Sequence, residues 1–236
     1  AFQKTLWRRC VVASFRPWSD AFGSGAHLNV SLADREGGQN LFEAKNKEKS
    51  RNGRGYSELA YYFTAGVLRH ADAITAVLCP TVNSYKRIEP YGRMREMSWA
   101  PVYSAYGHNN RTLTCRLPMN RYCLEVRQAD SACNFYLGAA MTLAAGLEGI
   151  REKLDPGDAV EFNTYNKTDE ELEKSGIHRL PRTLGHALQK FESDELAKEV
   201  FGEAFHSTFL KYKRREWDEF CLEVTPWERK RYLRLL

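Results

Sequence analysis

GSGAHLNVSL (Gly23–Leu32), NSYKR (Asn83–Arg87) and LEVRQADSACNFYLGAA (Leu124–Ala140) are the stretches on which the fold turns. In the first, a glycine-rich turn opens a period-two alternation. It sends His27, Asn29 and Ser31 to one face of a strand, and Leu28, Val30 and Leu32 to the other. In the third, Glu125 and Arg127 share a strand face while Leu124 and Val126 point into a core. A long helix follows, from Asn134 to Leu154, rich in alanine and small enough on its surface to pack closely on a sheet. NSYKR places a lysine and an arginine after a short polar turn.

Outward from these stretches, the β-branched run Arg9–Phe15 reads as a strand and Arg16–Gly25 as its connection. The charged stretch Lys45–Gly55 reads as a solvated loop. Ser57 caps a predicted helix to about Ala73, with Leu59, Tyr62, Phe63, Val67 and Leu68 on one face. After Pro80 the pattern is loops and strands through Arg127. Thr168–Glu171 and Thr225–Glu228 are capping boxes, the second with proline at the first helical position. Predicted helices at Thr183–Glu192, Ser193–Phe201 and Glu203–Leu222 complete the C-terminal third. Antiparallel-type strands with polar faces and a C-terminal helical cluster give an α+β class, not a doubly wound sheet.

The 236 residues are 43% hydrophobic, enough for a buried core, and 35 cations against 30 anions make a mixed surface, not a polyanion track. Six cysteines without a CxxC pair do not read as a disulfide framework or a zinc site. They read as small buried hydrophobes in a reducing compartment. The longest apolar run, Phe135–Leu147, is too short to span a bilayer. The expected location is cytoplasmic, with no membrane and no nucleic-acid partner. No GxGxxG or GxxxxGK[ST] occurs.

His27 on a polar strand face is a candidate ligand, or else part of an exposed edge. Glu125 beside Arg127 is a candidate metal carboxylate with an anion clamp, or else a cross-strand ion pair. Arg87, Arg111, Arg116 and Arg121 sit among strands and turns, where a rigid guanidinium fork suits carboxylate and phosphate, although each alone reads as a surface charge. Converging with a metal they would suit phosphoryl transfer, in which charge neutralisation and positioning do most of the work.

GSGAHLNVSL, PTVNSYKR, SWAPV, NNRT, CRLP, LEVR and ADSACNFYLGAA, with the C-terminal LPRTLGHALQKFESDELAKEVFG, together resemble the glutamine synthetase family, in its type III or γ-glutamylmethylamide synthetase-like branch. The resemblance implies that residues 1–236 are the C-terminal portion of a catalytic domain with a curved antiparallel sheet. The small N-terminal β-grasp domain and the first part of the catalytic domain are expected outside this sequence. It implies an ATP-dependent ligase that activates glutamate as γ-glutamyl phosphate and passes it to ammonia, methylamine or a small alkylamine. Two or three Mg2+ or Mn2+ ions per site and dodecamer-type rings are implied as well. By the same resemblance His27 and Glu125 look like metal ligands. Gly23, Arg87 and Arg127 look like glutamate-binding positions. Asn29, Ser31, Arg111 and Arg116 look like nucleotide or phosphate contacts, with Arg111 and Arg127 nearest the chemistry.

Three departures stand out. Asn29 replaces the second histidine of an HxH pair. Cys123 replaces an arginine, for which Arg121 is a neighbouring substitute. Trp99 replaces the carboxylate that ends the flap EPYGRMREMSWAP, lengthened by Arg93–Met97. Trp99 cannot take a proton, but it can line an apolar amine pocket or stack on an alkylammonium. These substitutions also fit a truncated, non-catalytic structural or regulatory relative. A nucleic-acid module built on KYKRREW is a third reading, although the acidic residues mixed into that helix favour a solvated face.

Overall fold

The computed structural model describes residues 16, 18, 22–88 and 99–233. The expected strand Arg9–Phe15, the flap insertion Arg93–Met97 and the closing Leu235–Leu236 lie outside the described residues.

Among the described residues, five strands form one sheet: β1 (Leu28–Val30), β2 (Tyr103–His108), β3 (Leu113–Leu117), β4 (Leu124–Val126) and β5 (His178–Arg179), in the order β1-β4-β3-β2-β5. The pairings β1–β4, β4–β3 and β2–β5 are antiparallel, as the α+β reading requires. The β2–β3 pair is parallel, a departure from the all-antiparallel expectation. Parallel neighbours ordinarily need a crossover of about a dozen residues. Here residues 109–112 alone make the return. Asn109 takes a left-handed φ of 60°, which asparagine tolerates better than most residues. Asn110 staples the loop: its Nδ2 donates to the carbonyls of Val160 and Phe162, and its Oδ1 accepts from Thr112 N and Oγ1.

The helices are α1 (Glu58–Arg69), α2 (Ala71–Leu78), α3 (Ser84–Ile88), α4 (Phe135–Glu152), α5 (Asp169–Glu173), α6 (Leu184–Ser193), α7 (Glu195–Leu222) and α8 (Pro226–Tyr232). The caps read from sequence are present, Ser57 on α1 and full capping boxes at Thr168–Glu171 and Thr225–Glu228, and the structure adds side-chain caps at Asn134 on α4 and Thr183 on α6. The single helix expected from Ser57 to Ala73 is two helices, broken at His70 (φ −100°, ψ 9°). The stretch after Pro80 carries the short helix α3, which periodicity in five residues could not reveal. Gly202 (φ 69°, ψ 154°) breaks α7 where the sequence divides it.

The principal core lies between the sheet and α1, α2, α4, α6 and α7. It contains Phe42, Tyr56, Tyr61, Phe63, Ile74, Leu78, Leu117, Leu124, Val126, Met141 and Phe191. The small residues of α4 serve a helix contact, not the sheet contact expected for them. A Cβ on Gly66 of α1 would sit 2.0 Å from the Ala145 carbonyl oxygen, and one on Gly149 would sit 2.1 Å from that of Tyr62. The two backbones touch only because these positions are glycine. Cys79, Cys115, Cys123 and Cys133 are buried free thiols as expected, whereas Cys221 is exposed. Trp217 packs onto the core, while Trp227 and Tyr232 on α8 remain exposed.

His70 holds the helices in relation to one another. Its Nδ1 meets Asp194 Oδ2 at 2.7 Å at the start of α7, and its Nε2 meets Glu148 Oε2 at 2.9 Å on α4. Burial opposes the imidazolium, but the hydrogen bond and charge of Asp194, with the charge of Glu148, outweigh it and raise the His70 pKa above its ordinary 6.5. A raised histidine pKa contributes stability that is complete below the unfolded value and is lost as pH climbs through the folded one. Melting temperature should therefore fall across that window, and His70→Gln should flatten the fall. A pH-melting series on both proteins measures it, and parallel curves would deny His70 the role.

Candidate active site

The register of the sheet builds the site. Asn29 of β1 pairs with Glu125 of β4, which pairs with Arg116 of β3, so the three stand in one row. His27 and Arg127 lie two residues away on the same face. Glu125 sits at the centre, with its side chain 6% exposed. Its Oε1 lies 2.8 Å from His27 Nδ1 and 2.7 Å from Arg127 Nη1, and its Oε2 lies 2.6 Å from Arg116 Nη1. Burial raises the cost of ionising Glu125. The hydrogen bond from His27 and the guanidinium groups of Arg127 and Arg116 overcome it and hold the carboxyl down at about 2. Burial likewise lowers the pKa of Arg127, against the pull of Glu125.

The arginines are fixed from behind. Arg127 Nε donates to the Arg111 carbonyl at 3.3 Å and Nη2 to that of Trp99 at 3.2 Å. Arg116 Nη2 donates to Asn109 Oδ1 at 2.8 Å. Asn109 thus turns the tight β2–β3 return and also aims an arginine. Sequence reasoning missed it, although an Asn-Asn pair between two strands is a recognisable left-handed turn signal. Arg87 is buried, and its Nη2 donates to the carbonyls of Gln128 and Ala129. The guanidinium of Arg111 lies over the ring of Trp99, 4.6 Å from its centroid. Trp99 has φ 44° and is 53% exposed. A left-handed bulky residue is strained, and such strain concentrates at functional sites.

The structure therefore gathers His27, Glu125, Arg116 and Arg127, with Arg87 behind His27 and with Arg111 and Trp99 beside Arg127. Asn29 shares the row, but its Oδ1 accepts from Arg121 Nη2 at 2.9 Å, so Arg121 brings a guanidinium to the edge where Cys123 has none. Ser31 lies just past β1 and is exposed. Gly23 opens a turn laid along residues 129–131: Ser24 Oγ meets Ser131 Oγ at 2.7 Å, and Ala26 N donates to the Ala129 carbonyl. This turn does not depend on left-handed geometry at Gly25. The fit there is close, since a Cβ on Gly25 would lie 3.1 Å from His27 Nε2 and 3.4 Å from Arg87 Nη1.

His27 and Glu125 fit as an imidazole and a carboxylate ligand of a divalent cation. They do not complete a metal site, because among the described residues no group of three histidine, cysteine, aspartate or glutamate side chains converges. No described helix is long and apolar enough to cross a membrane.

A sequence model of the family described as glutamine synthetase, catalytic domain, matches residues 9–232. A glutamate–methylamine ligase of Methyloversatilis universalis is 40% identical over 225 residues, covering 94% of this chain and 49% of that protein. A glutamine synthetase of Pyrococcus horikoshii is 40% identical over 225 residues, covering 89% and 47%. Among solved structures, a GmaS/ADP complex superposes with a TM-score of 0.80 at 36% identity, covering 93% of this chain and 48% of that one. The chain spans about half the length of the curated relatives it matches.

Glu125 neutralises two guanidinium groups and also contacts His27, so its removal should be costly. Glu125→Gln should destabilise the fold by about 3–5 kcal/mol, the usual cost of breaking a buried ion pair from one side. Because the carboxyl is depressed, its contribution is present above the ordinary 4.5 and is lost as pH falls toward 2. Urea denaturation at pH 7 and pH 3 should show the variant's deficit shrinking at the lower pH, and a deficit independent of pH would contradict the assignment.

Proposed function

This chain belongs to the glutamine synthetase catalytic-domain family, and from that premise we propose that it carries the anion-binding part of a glutamate–amine ligase site. The observation that supports it is the convergence of Arg127, Arg116 and His27 on Glu125, with Arg87 and Arg111 alongside. Residues 1–236 correspond, in this reading, to the C-terminal portion of such a catalytic domain.

The reaction joins glutamate to an amine at the expense of ATP. The γ-carboxylate attacks the terminal phosphorus and the P–O bond to ADP breaks. The amine nitrogen then attacks the γ-carbonyl, and phosphate leaves with the former carboxylate oxygen. Both steps concentrate negative charge, which fixed guanidinium groups stabilise without reorganisation. Arg87 and Arg127, with the turn at Gly23, hold the carboxylates of glutamate. Arg111 and Arg116 face the transferring phosphate. Asn29 and Ser31 line the nucleotide edge, where Arg121 adds a cation. Magnesium or manganese ions, two or three per site, would neutralise phosphate charge when bound. His27 and Glu125 are the donors this chain contributes, and further oxygen ligands are needed beside them. The exposed Trp227 and Tyr232 of α8 suit burial in a homo-oligomer of the ring type.

A relative named as a glutamate–methylamine ligase and one named as a glutamine synthetase are each 40% identical to the chain over 225 residues, so overall likeness does not choose the amine and the residues around it must. Trp99 offers an aromatic wall and no proton acceptor. Because Arg111 covers one face of its ring, an alkyl group would use the remaining exposed surface. Each buried CH2 contributes about 0.8 kcal/mol, roughly fourfold in selectivity. In the complete enzyme, methylamine and ethylamine should be favoured over ammonia in kcat/KM, and Trp99→Glu should shift the order toward ammonia. An unchanged order in the variant rules out Trp99 as the determinant.

Arg127→Lys should raise the glutamate KM by about tenfold or more, since a point-charge ammonium cannot reproduce the planar fork. The experiment is phosphate release from ATP as a function of glutamate concentration. Absence of glutamate-dependent phosphate release in the parent protein would favour the non-catalytic reading suggested by Asn29 and Cys123.

A further inference from the structure

The segment Gln128–Asp130 leaves β4 beneath the anion site, and all three of its residues are fully buried. Arg87 reaches it from the last turn of α3 and gives Nη2 to the carbonyls of Gln128 and Ala129. The other terminal nitrogen, Nη1, faces the space beside Gly25, next to His27. Carbonyl oxygens align a guanidinium but do not neutralise it, and a buried cation without a counter-charge is strongly disfavoured. Glu125 is already shared among His27, Arg116 and Arg127.

Asp130 is the next residue along. Its Oδ1 accepts the Ala132 N–H at 2.9 Å, which fixes the rotamer. Its Oδ2 is buried without a hydrogen-bond partner, and so is Nε of Arg87. Oδ2 of Asp130 and Nε of Arg87 are thus a buried acceptor and a buried donor of opposite charge whose charges act on one another, with no ion pair closed between them. Burial holds the Asp130 carboxyl above the ordinary aspartate range, and the Ser84 hydroxyl, the Ala132 amide and the charge of Arg87 offset only part of that rise. The other groups around it are the buried thiols of Cys79 and Cys133 and the Tyr85 phenol, none of which carries charge there.

We propose that Asp130 is a positioning residue of the site: its buried carboxyl is the counter-charge that holds Arg87 with Nη1 facing Gly25 and His27, and so sets affinity for the carboxylate substrate. Asp130 does not touch substrate and acts through Arg87. The inference rests on the reading of Arg87 as a glutamate-binding residue.

The test uses the complete enzyme with Asp130→Asn, Asp130→Ser, Arg87→Lys and the double variant Asp130→Asn/Arg87→Lys. Serine keeps an oxygen for the Ala132 amide, so it guards against loss of folding in the asparagine variant. Each Asp130 variant should raise the glutamate KM by about tenfold, with the ATP KM within about twofold and kcat at saturating glutamate within about threefold. The double variant should be no worse than Arg87→Lys alone, because both changes remove one interaction. A lowered melting temperature with an unchanged glutamate KM would overturn the proposal and leave Asp130 as a turn former, and so would additive effects in the double variant. If Arg87→Lys itself leaves the glutamate KM unchanged, the reading of Arg87 fails and the role of Asp130 fails with it. A strong Arg87→Lys effect beside silent Asp130 variants sinks this proposal alone.

Discussion

A single buried carboxylate organises the polar half of this molecule. Glu125 stands in the middle strand of the row Asn29–Glu125–Arg116, with an arginine on each oxygen and His27 on one of them. Two guanidinium groups so near each other would separate in water. On this sheet they cannot, because the carboxylate between them repays most of their desolvation and the strand register fixes their origins. The result is a patch of cationic groups that are already dehydrated and already oriented, and phosphoryl and acyl-phosphate chemistry requires that condition.

The surrounding structure maintains that patch from outside. Asn109 in its left-handed turn holds Arg116, the carbonyls of Arg111 and Trp99 hold Arg127, and the Gln128–Ala129 backbone holds Arg87. Backbone carbonyls suit this purpose, since they accept from a guanidinium without cancelling its charge. Trp99 adds a second link, because its carbonyl restrains one arginine while its ring carries another. Any displacement of Trp99 must therefore disturb Arg111 and Arg127 together. The helical layer contributes rigidity at a distance. The glycine contact between α1 and α4 and the His70 bridge from α4 to α7 fix the surface on which the sheet lies.

The chain's own sequence determined the alternation that puts His27, Glu125 and Arg127 on polar strand faces, the caps of three helices, and the break at Gly202. All of these are local, because a strand's period, a capping hydroxyl and a glycine's freedom depend on neighbours within a few residues. The family likeness was legible for the same reason, in short motifs at fixed order. Tertiary structure alone decided the rest. The parallel β2–β3 pairing depends on Asn110 finding carbonyls fifty residues away. The break at His70 is held by partners on α4 and α7. The counter-charge at Asp130 is invisible from its own neighbours, which read as an ordinary turn before a helix. Long-range electrostatics and steric contact join residues that the sequence keeps apart, and no local pattern encodes which buried charge will face which.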